Sequence, residues 1–590
     1  MDSFMGILYQ FQPHKQWRRS QVVRQRSAKP LFTGSNPVGA SPPMLRRLRG
    51  FLQGELTTAD LTRRLAALHG DRIAVHLDTP LEYAILRERH LTYTDLDRLV
   101  RKLSAVLASG GVTAGERVVL AQANRFELLL LALAAMRLGA VAVPLHEGSR
   151  AEEIRWALES SGAGTLVVDR ACWERAFSGA QTSVPRRLFA TGKASDLPPQ
   201  GTSIDAALDV PLPVPPPANV RPEDVAMILY TSGTTGRPKG ALLTSGGLLG
   251  RLRPAMLWKA PRGASAVVPL PLAHIMGLVS TLLPLVAGVR VHFFGEFDAV
   301  RVLRAIEERR ATFFVGVPTM YRMMVEAGLD RFDLSSIRAW ISAADRMPAD
   351  LMAEFKRCGT LFEVGPVRAE SIFIDAYGSV ELAGAAIVRI SPPGTSRLDR
   401  SFFGMLLPPY HARIVRDDGT EAGAGEVGEL WIQGPGVMRG YVPGSVPRSD
   451  EDEEASRAVL GDGWVRTGDL ASRDRIGLIH FVDRRKDVIK SGGYSIFPAE
   501  IERVLAEHPD VDLAVAFGIP HPTKGERPVA AVTLRAGASA TGDDLRAFAR
   551  EKLADYKAPR AVFVIAPEDV PYGPTRKVLR SALADRFREG

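Results

Sequence analysis

Residues 225–241 read VAMILYTSGTTGRPKGA, an apolar run that passes into a loop with three glycines, four Ser/Thr hydroxyls and one lysine between Tyr230 and Ala241. Glycine-rich turns let backbone N–H groups point inward at an anion, and Thr231, Ser232, Thr234 and Thr235 add hydroxyl donors. The loop is not a Walker A sequence, which needs Lys directly after its second glycine and Ser or Thr after the lysine. Here Arg237 and Pro238 precede Lys239, and Gly240 follows it. By itself the stretch implies an anion site or an ordinary surface turn.

The chain on either side alternates helical and strand patterns. Leu96, Val100, Leu103 and Leu107 recur at helical spacing, and short apolar strands are predicted at RVVLA, AVAVPL, 164–169, 264–270, 289–294 and 311–318. Near-continuous apolar strands separated by helices are the mark of a parallel sheet covered on both faces. DVPLPVPPPANVRPED, 209–224, is a proline-rich connector. After about residue 400 short strands with Gly and Asp turns predict an antiparallel β-subdomain, and from about Arg484 a small α+β unit follows. The expected fold class is therefore α/β, with a large N-terminal domain over 44–483, its β-subdomain, and a C-terminal domain over 484–590.

Composition narrows the function classes. The chain has 590 residues, 46% of them hydrophobic and 24% charged, as in soluble globular proteins. Its net charge of +9 invites a nucleic-acid partner, but residues 1–43 alone contribute five of those charges, and no RNP motif, zinc-finger spacing or basic stripe accompanies them. No apolar stretch has the length and composition of a membrane span. Two distant cysteines exclude a disulfide framework, and a reducing cytoplasm is expected. Residues 1–43 are expected to be a disordered leader or an extension ahead of a start at Met44, with a transit peptide as the alternative.

SGTTGRPKG resembles the phosphate-binding signature of the adenylate-forming superfamily of acyl- and aryl-CoA synthetases, carrier-loading adenylation domains and luciferases. The family's further motifs follow in order. PLAHIMGL (271–278) is similar to the segment with an acyl-site histidine, VGVPTMY (315–321) to the acyl-pocket wall, and DLSSIRAWISAADRMP (333–348) to the stretch that flanks adenine. YGSVE (377–381), GPGVMRGY (434–441), GWVRTGDL (463–470), VDRRKDVIKSGGYSIFPAEIE (482–502) and VPYGPTRKVLR (570–580) complete the set.

The resemblance implies roles. Thr231, Ser232, Gly233, Thr234, Thr235, Gly236 and Lys239 would wrap the β- and γ-phosphates of ATP. Ala344, Tyr377 and Gly378 would border the adenine, Asp469 and Arg484 the ribose, and His274 the acyl group. Glu381 would help hold Mg²⁺, a hard cation suited to one carboxylate plus phosphate oxygens. Lys577 would bridge the carboxylate and the α-phosphate. Lys486 matches the hinge of a mobile small domain, and Lys490, Gly492 and Gly493 would line the path of a thiol arm.

Three positions depart from the pattern: Val380 stands for the usual Thr, Ser245 for a His, and Arg576 for a Gly. The approach to the YGSVE motif is long, and the apolar LAGAAIVRI after it predicts an aliphatic pocket and thus a medium- or long-chain fatty acid. The expected acceptor is CoA, with a phosphopantetheinyl carrier protein as the alternative. A nucleotide-binding regulator without turnover is the reading from another class.

Overall fold

The computed structural model describes residues 56–588 apart from 84–88, 178–184, 193–200, 232–237, 251, 259, 346, 396–403, 444–461, 492–493 and 574–577. The expected leader over 1–43 therefore lies outside the described residues, as do Ser232–Gly236, Gly492, Gly493, Arg576 and Lys577.

Among the described residues two large sheets organise the first 400 positions. One has nine strands with a parallel centre in the order Ile372–Ser379, Ala339–Ala343, Phe313–Gly316, Ser265–Val268, Arg290–Phe293 and Ile73–Leu77. Gly384–Ser391 adds antiparallel beside Ile372–Ser379, and His90–Thr92 closes the far edge. The other has seven strands; Val141–Leu145 pairs in parallel with both Arg117–Ala121 and Val225–Thr231, and Lys239–Thr244 returns antiparallel. The predicted strands at 164–169, 264–270, 289–294 and 311–318 are all present, each shorter by one or more residues.

One hydrophobic cluster draws on both sheets, with Val75 and Val291 from the first and Val118, Ala142 and Met227 from the second. Helix Phe126–Arg137 lies in this shared layer. All twelve of its residues are buried, which accounts for a sequence apolar on every side. Helix Tyr93–Ser109 presents Leu96, Val100, Leu103 and Leu107 to the same core, as its spacing predicts, and opens on a Thr92/Asp95 capping box.

A four-stranded antiparallel sheet, His411–Val415, Val427–Gln433, Trp464–Arg473 and Ile479–Arg484, forms the β-subdomain. The last unit wraps helices Pro498–Leu505 and Gly542–Lys552 on a sheet centred on Val511–His521 and Gly525–Leu534, with its own core of Ile501, Leu505, Val532 and Leu545. Arg322 reaches it through Asp512 Oδ1 at 2.9 Å. The long approach to residue 377 holds a hairpin, Thr360–Val364 with Val367–Glu370. It is tied to the body where the buried Lys356 Nζ meets Glu370 at 3.3 Å and donates to Ser391 and Thr395.

Candidate active site

Among the described residues Thr231, Ala344, Tyr377 and Gly378 lie at or just past the ends of parallel strands, the place at which open α/β sheets take ligands. Thr231 closes Val225–Thr231 opposite Lys239, the buried first residue of the returning strand. Ala344 follows Ala339–Ala343 with φ of 74°, a left-handed conformation that costs a residue with a Cβ roughly 1–2 kcal/mol. Tyr377 and Gly378 end Ile372–Ser379, and Glu381 sits in the 3₁₀ turn that follows. A Cβ on Gly378 would come within 1.9 Å of the Gly384 carbonyl oxygen, so the antiparallel neighbour strand requires glycine there.

Tyr377 donates its hydroxyl to Asp469 Oδ2 at 2.5 Å, and Arg484 Nε lies 3.4 Å from Asp469 Oδ1. Register explains the second contact, since Asp469 and Arg484 face each other across the β-subdomain strands. Burial, reinforced by the Asp469 charge, pushes the Tyr377 phenol well above its usual value, so it stays a proton donor at any ordinary pH. Burial opposes the charge on Arg484, but Asp469 and its neighbours outweigh it and the guanidinium pKa rises. The tyrosine expected against adenine is thus held by its hydroxyl to the aspartate expected at the ribose.

Glu381 Oε1 accepts from the Tyr441 hydroxyl at 2.8 Å, and its carbonyl accepts from Met438 N–H at 2.8 Å. Residues 439–442 then pair with the Lys239 strand through Arg439 N–H to Leu242 O and Val442 N–H to Gly240 O. One segment therefore links the phosphate-loop strand to the carboxylate expected to hold a cation. Tyr441 ends the quoted GPGVMRGY, but nothing in that motif by itself shows which carboxylate its phenol meets.

His274 caps helix Ile275–Val286, and His146, at the end of Val141–Leu145, lies beside it with ring centroids 5.6 Å apart. Nδ1 of His146 accepts from Gly148 N–H at 3.0 Å, which places the proton of the neutral ring on Nε2. Burial first, then His146, pushes His274 down to about 4, so it is a neutral imidazole above that pH. His146 lies outside every motif of the sequence.

Lys486 lies in the 3₁₀ turn after Arg484, and burial lowers its pKa against the opposing charge of Asp487. Asp483, three residues before it, is 2% exposed and accepts from Ala499 N–H at 2.8 Å and Arg484 N–H at 2.9 Å. Arg580 braces the same turn through Asp487 at 3.2 Å and Glu502 at 2.5 Å. Lys490 is exposed and donates to Ser495 Oγ at 2.7 Å.

Two departures from the pattern acquire structural reasons. Val380 packs against the shared core. Ser245 is fully buried and accepts from the backbone and hydroxyl of Thr58, at 3.0 and 3.2 Å. In the stretch read as an aliphatic pocket wall, Leu382, Ala386 and Ile387 are fully buried in the β-subdomain core with Tyr410, Ile414 and Leu430, whereas Ala383 is buried in the core shared by the two large sheets. Leu382, Ala386 and Ile387 are thus packing residues of the β-subdomain and lend no support to a fatty-acid substrate.

The AMP-binding enzyme profile matches residues 62–442, and that of the AMP-binding enzyme C-terminal domain matches 500–577. Feruloyl-CoA synthase of an Amycolatopsis species is 34% identical over 507 residues, 84% of this chain and 94% of the relative. Indoleacetate–CoA ligase of Aromatoleum aromaticum is 34% identical over 483 residues, 80% of this chain and 89% of the relative. Among solved structures, the o-succinylbenzoate CoA synthetase of Bacillus subtilis in complex with ATP and magnesium ion is similar with a TM-score of 0.72 at 26% identity, covering 90% of this chain and 100% of that one.

Proposed function

Because the chain belongs to the AMP-binding enzyme family, we propose that it is an ATP-dependent acid–CoA ligase that works through an acyl adenylate. The observation that carries this reading is the join of Tyr377, Asp469 and Arg484, with Glu381 held by Tyr441 from the segment that pairs with the strand leaving the phosphate loop. A carboxylate oxygen of the acid attacks the α-phosphorus of ATP and pyrophosphate leaves. The thiol sulfur of CoA then attacks the acyl carbon, its proton is lost, and AMP leaves. Both steps gather negative charge, so positioning and cations supply most of the rate.

In this reading Asp469 accepts from the ribose hydroxyls, and the neutral His274 packs beside the acyl group without adding charge. Among the described residues no three His, Cys, Asp or Glu gather as a metal cluster, so a magnesium ion would rest on Glu381 and on nucleotide phosphates. Such an ion would neutralise the departing pyrophosphate. Lys577 is assigned to the α-phosphate, Lys239 to the departing phosphates, and Lys490, Gly492 and Gly493 to the thiol path. Residues 484–590 would turn about Lys486 between the two steps, with 44–483 as the stationary domain. Both cysteines are free thiols and no described helix is long and apolar enough to cross a membrane, which supports a cytoplasmic setting.

We place an acid with an aromatic body ahead of a fatty acid, supported by the two relatives at 34% identity whose names carry feruloyl and indoleacetate. The test is pyrophosphate release with ferulate, indoleacetate, o-succinylbenzoate and medium- and long-chain fatty acids. Release with the aryl acids supports the reading, release with fatty acids alone restores the aliphatic one, and none with any acid despite ATP binding favours a regulator without turnover. Adding CoA or a holo carrier protein then identifies the acceptor. Lys577→Ala should lower adenylate formation by ~10²-fold or more while thioester formation from a preformed adenylate persists; equal loss of both steps refutes its assignment.

A further inference from the structure

At the far edge of the nine-stranded sheet, about four strand spacings or roughly 19 Å from Ile372–Ser379, the ends of Ile73–Leu77 and Arg290–Phe293 meet helix Ala299–Arg309 around a cavity of about 180 Å³. Four arginines, Arg89, Arg301, Arg304 and Arg309, line it together with His76, against only Asp78 and Glu308 as acids. Asp78 is committed: its Oδ1 accepts from Gly295 N–H at 3.3 Å and its Oδ2 pairs with Arg301 at 3.3 Å. Among the described residues Arg89 and Arg304 have no ion-pair partner. With Arg301 and Asp78 cancelling and Glu308 counted in full, the wall keeps two positive charges.

The layer behind the wall shows the same imbalance. His76 stacks on the buried His292 with ring centroids 5.2 Å apart and planes within 5°, and Arg309 Nη1 lies 3.1 Å from His292 Nδ1. A guanidinium can only donate, so His292 Nδ1 accepts and its Nε2 carries the proton, buried without a partner. Burial comes first and the charges of Arg309 and Arg290 second in pushing His76 down to about 4. The positive potential of the pocket therefore comes from arginine alone.

We propose that this pocket is a second anion site, separate from the reaction centre, that takes a phosphate-class dianion: inorganic phosphate, pyrophosphate, or the terminal phosphate of a larger molecule. The uncancelled charge of the wall matches a dianion, and guanidinium forks pair bidentately with phosphate oxygens. At about 180 Å³ the cavity falls below the ~300 Å³ of pockets that enclose drug-sized ligands. A phosphate group fits, while the body of a nucleotide or lipid would remain outside.

The test is calorimetric titration of the full chain with inorganic phosphate and with pyrophosphate at constant ionic strength and without ATP, the share of the pocket being the binding that the arginine variants lose. Arg304 is exposed, so Arg304→Ala leaves the core intact. It should weaken phosphate binding by about tenfold or more, as should Arg89→Ala, while Arg304→Lys recovers part of the affinity. Acid-dependent pyrophosphate release should be unchanged in all three variants. Sedimentation with phosphatidylcholine vesicles doped with phosphatidic acid distinguishes the sources: arginine-dependent binding to vesicles alone identifies a lipid headgroup, and binding of free phosphate identifies a soluble anion. No binding in either arm, or binding that Arg304→Ala leaves unchanged, overturns the proposal.

Discussion

Two aspartates on adjacent strands of the β-subdomain, Asp469 and Asp483, are both buried and both lie near an arginine, yet their partners differ in kind. Asp469, 5% exposed, receives a phenol and faces a guanidinium, both on side chains. Asp483 receives two backbone N–H groups, one from the strand end and one from the first turn of helix Pro498–Leu505, with Arg580 adding charge nearby. Side-chain partners can move when a ligand arrives; backbone donors cannot move without moving the chain. Asp469 is thus suited to exchange partners with a bound nucleotide, and Asp483 is suited to pin the hinge turn.

The largest expected effect separates the two. Asp469→Asn should lower adenylate formation by ~10²-fold or more with little change in melting temperature, measured by pyrophosphate release and thermal unfolding. A variant that melts early with normal turnover would erase the distinction.

Asp483 should appear in stability against pH. Burial raises its folded pKa to about 6, against ~3.9 in the unfolded chain, so the folded state binds the extra proton between those values. Its contribution is fully present below about pH 4 and is lost as the pH rises through 6, a decline of roughly 2–3 kcal/mol. Asp483→Asn should remove that slope, and an unchanged slope across this window would assign it to another group.

Tyr377→Phe deletes one hydrogen bond to a carboxylate, worth about 1.5–3 kcal/mol. About a tenfold loss in kcat/KM for ATP, with the melting temperature nearly kept, would sharpen the view of Asp469 as poised for ligand, whereas a large drop in melting temperature would make the pair structural. His274 offers a control: its folded pKa of about 4 lies below the ~6.5 of the free side chain. Its stabilising contribution holds above 6.5 and fades as the pH falls toward 4, and adenylate formation should show no titration near 6.5 that His274→Gln removes. Smallest of all, Arg322→Ala breaks a surface pair with Asp512 and should cost about 0–1 kcal/mol.

Where local pattern and burial agree, the fold was legible. Leu96, Val100, Leu103 and Leu107 share one face because a helix repeats every 3.6 residues, and the apolar runs at 264–270 and 311–318 become central parallel strands. LAGAAIVRI shows the limit of an apolar run, which records burial without naming its neighbours: Leu382, Ala386 and Ile387 enter the β-subdomain core, and Ala383 the core shared by the two large sheets. The same blindness hid His146, Tyr441 and Asp483, which carry ordinary residue types and act only through what faces them.

The amino-acid order alone established the α/β class, the sequence of motifs from the phosphate loop onward and the residue types brought to each, because these depend on local spacing and on matches along the chain. Tertiary structure decided which of those groups meet. Tyr377 reaches Asp469 across 92 positions, Thr58 finds Ser245 across 187, and Arg301 joins Asp78 across 223 to shape the arginine pocket. Contacts at such separations follow from sheet order and strand register, which are properties of the packed chain and of no segment read by itself.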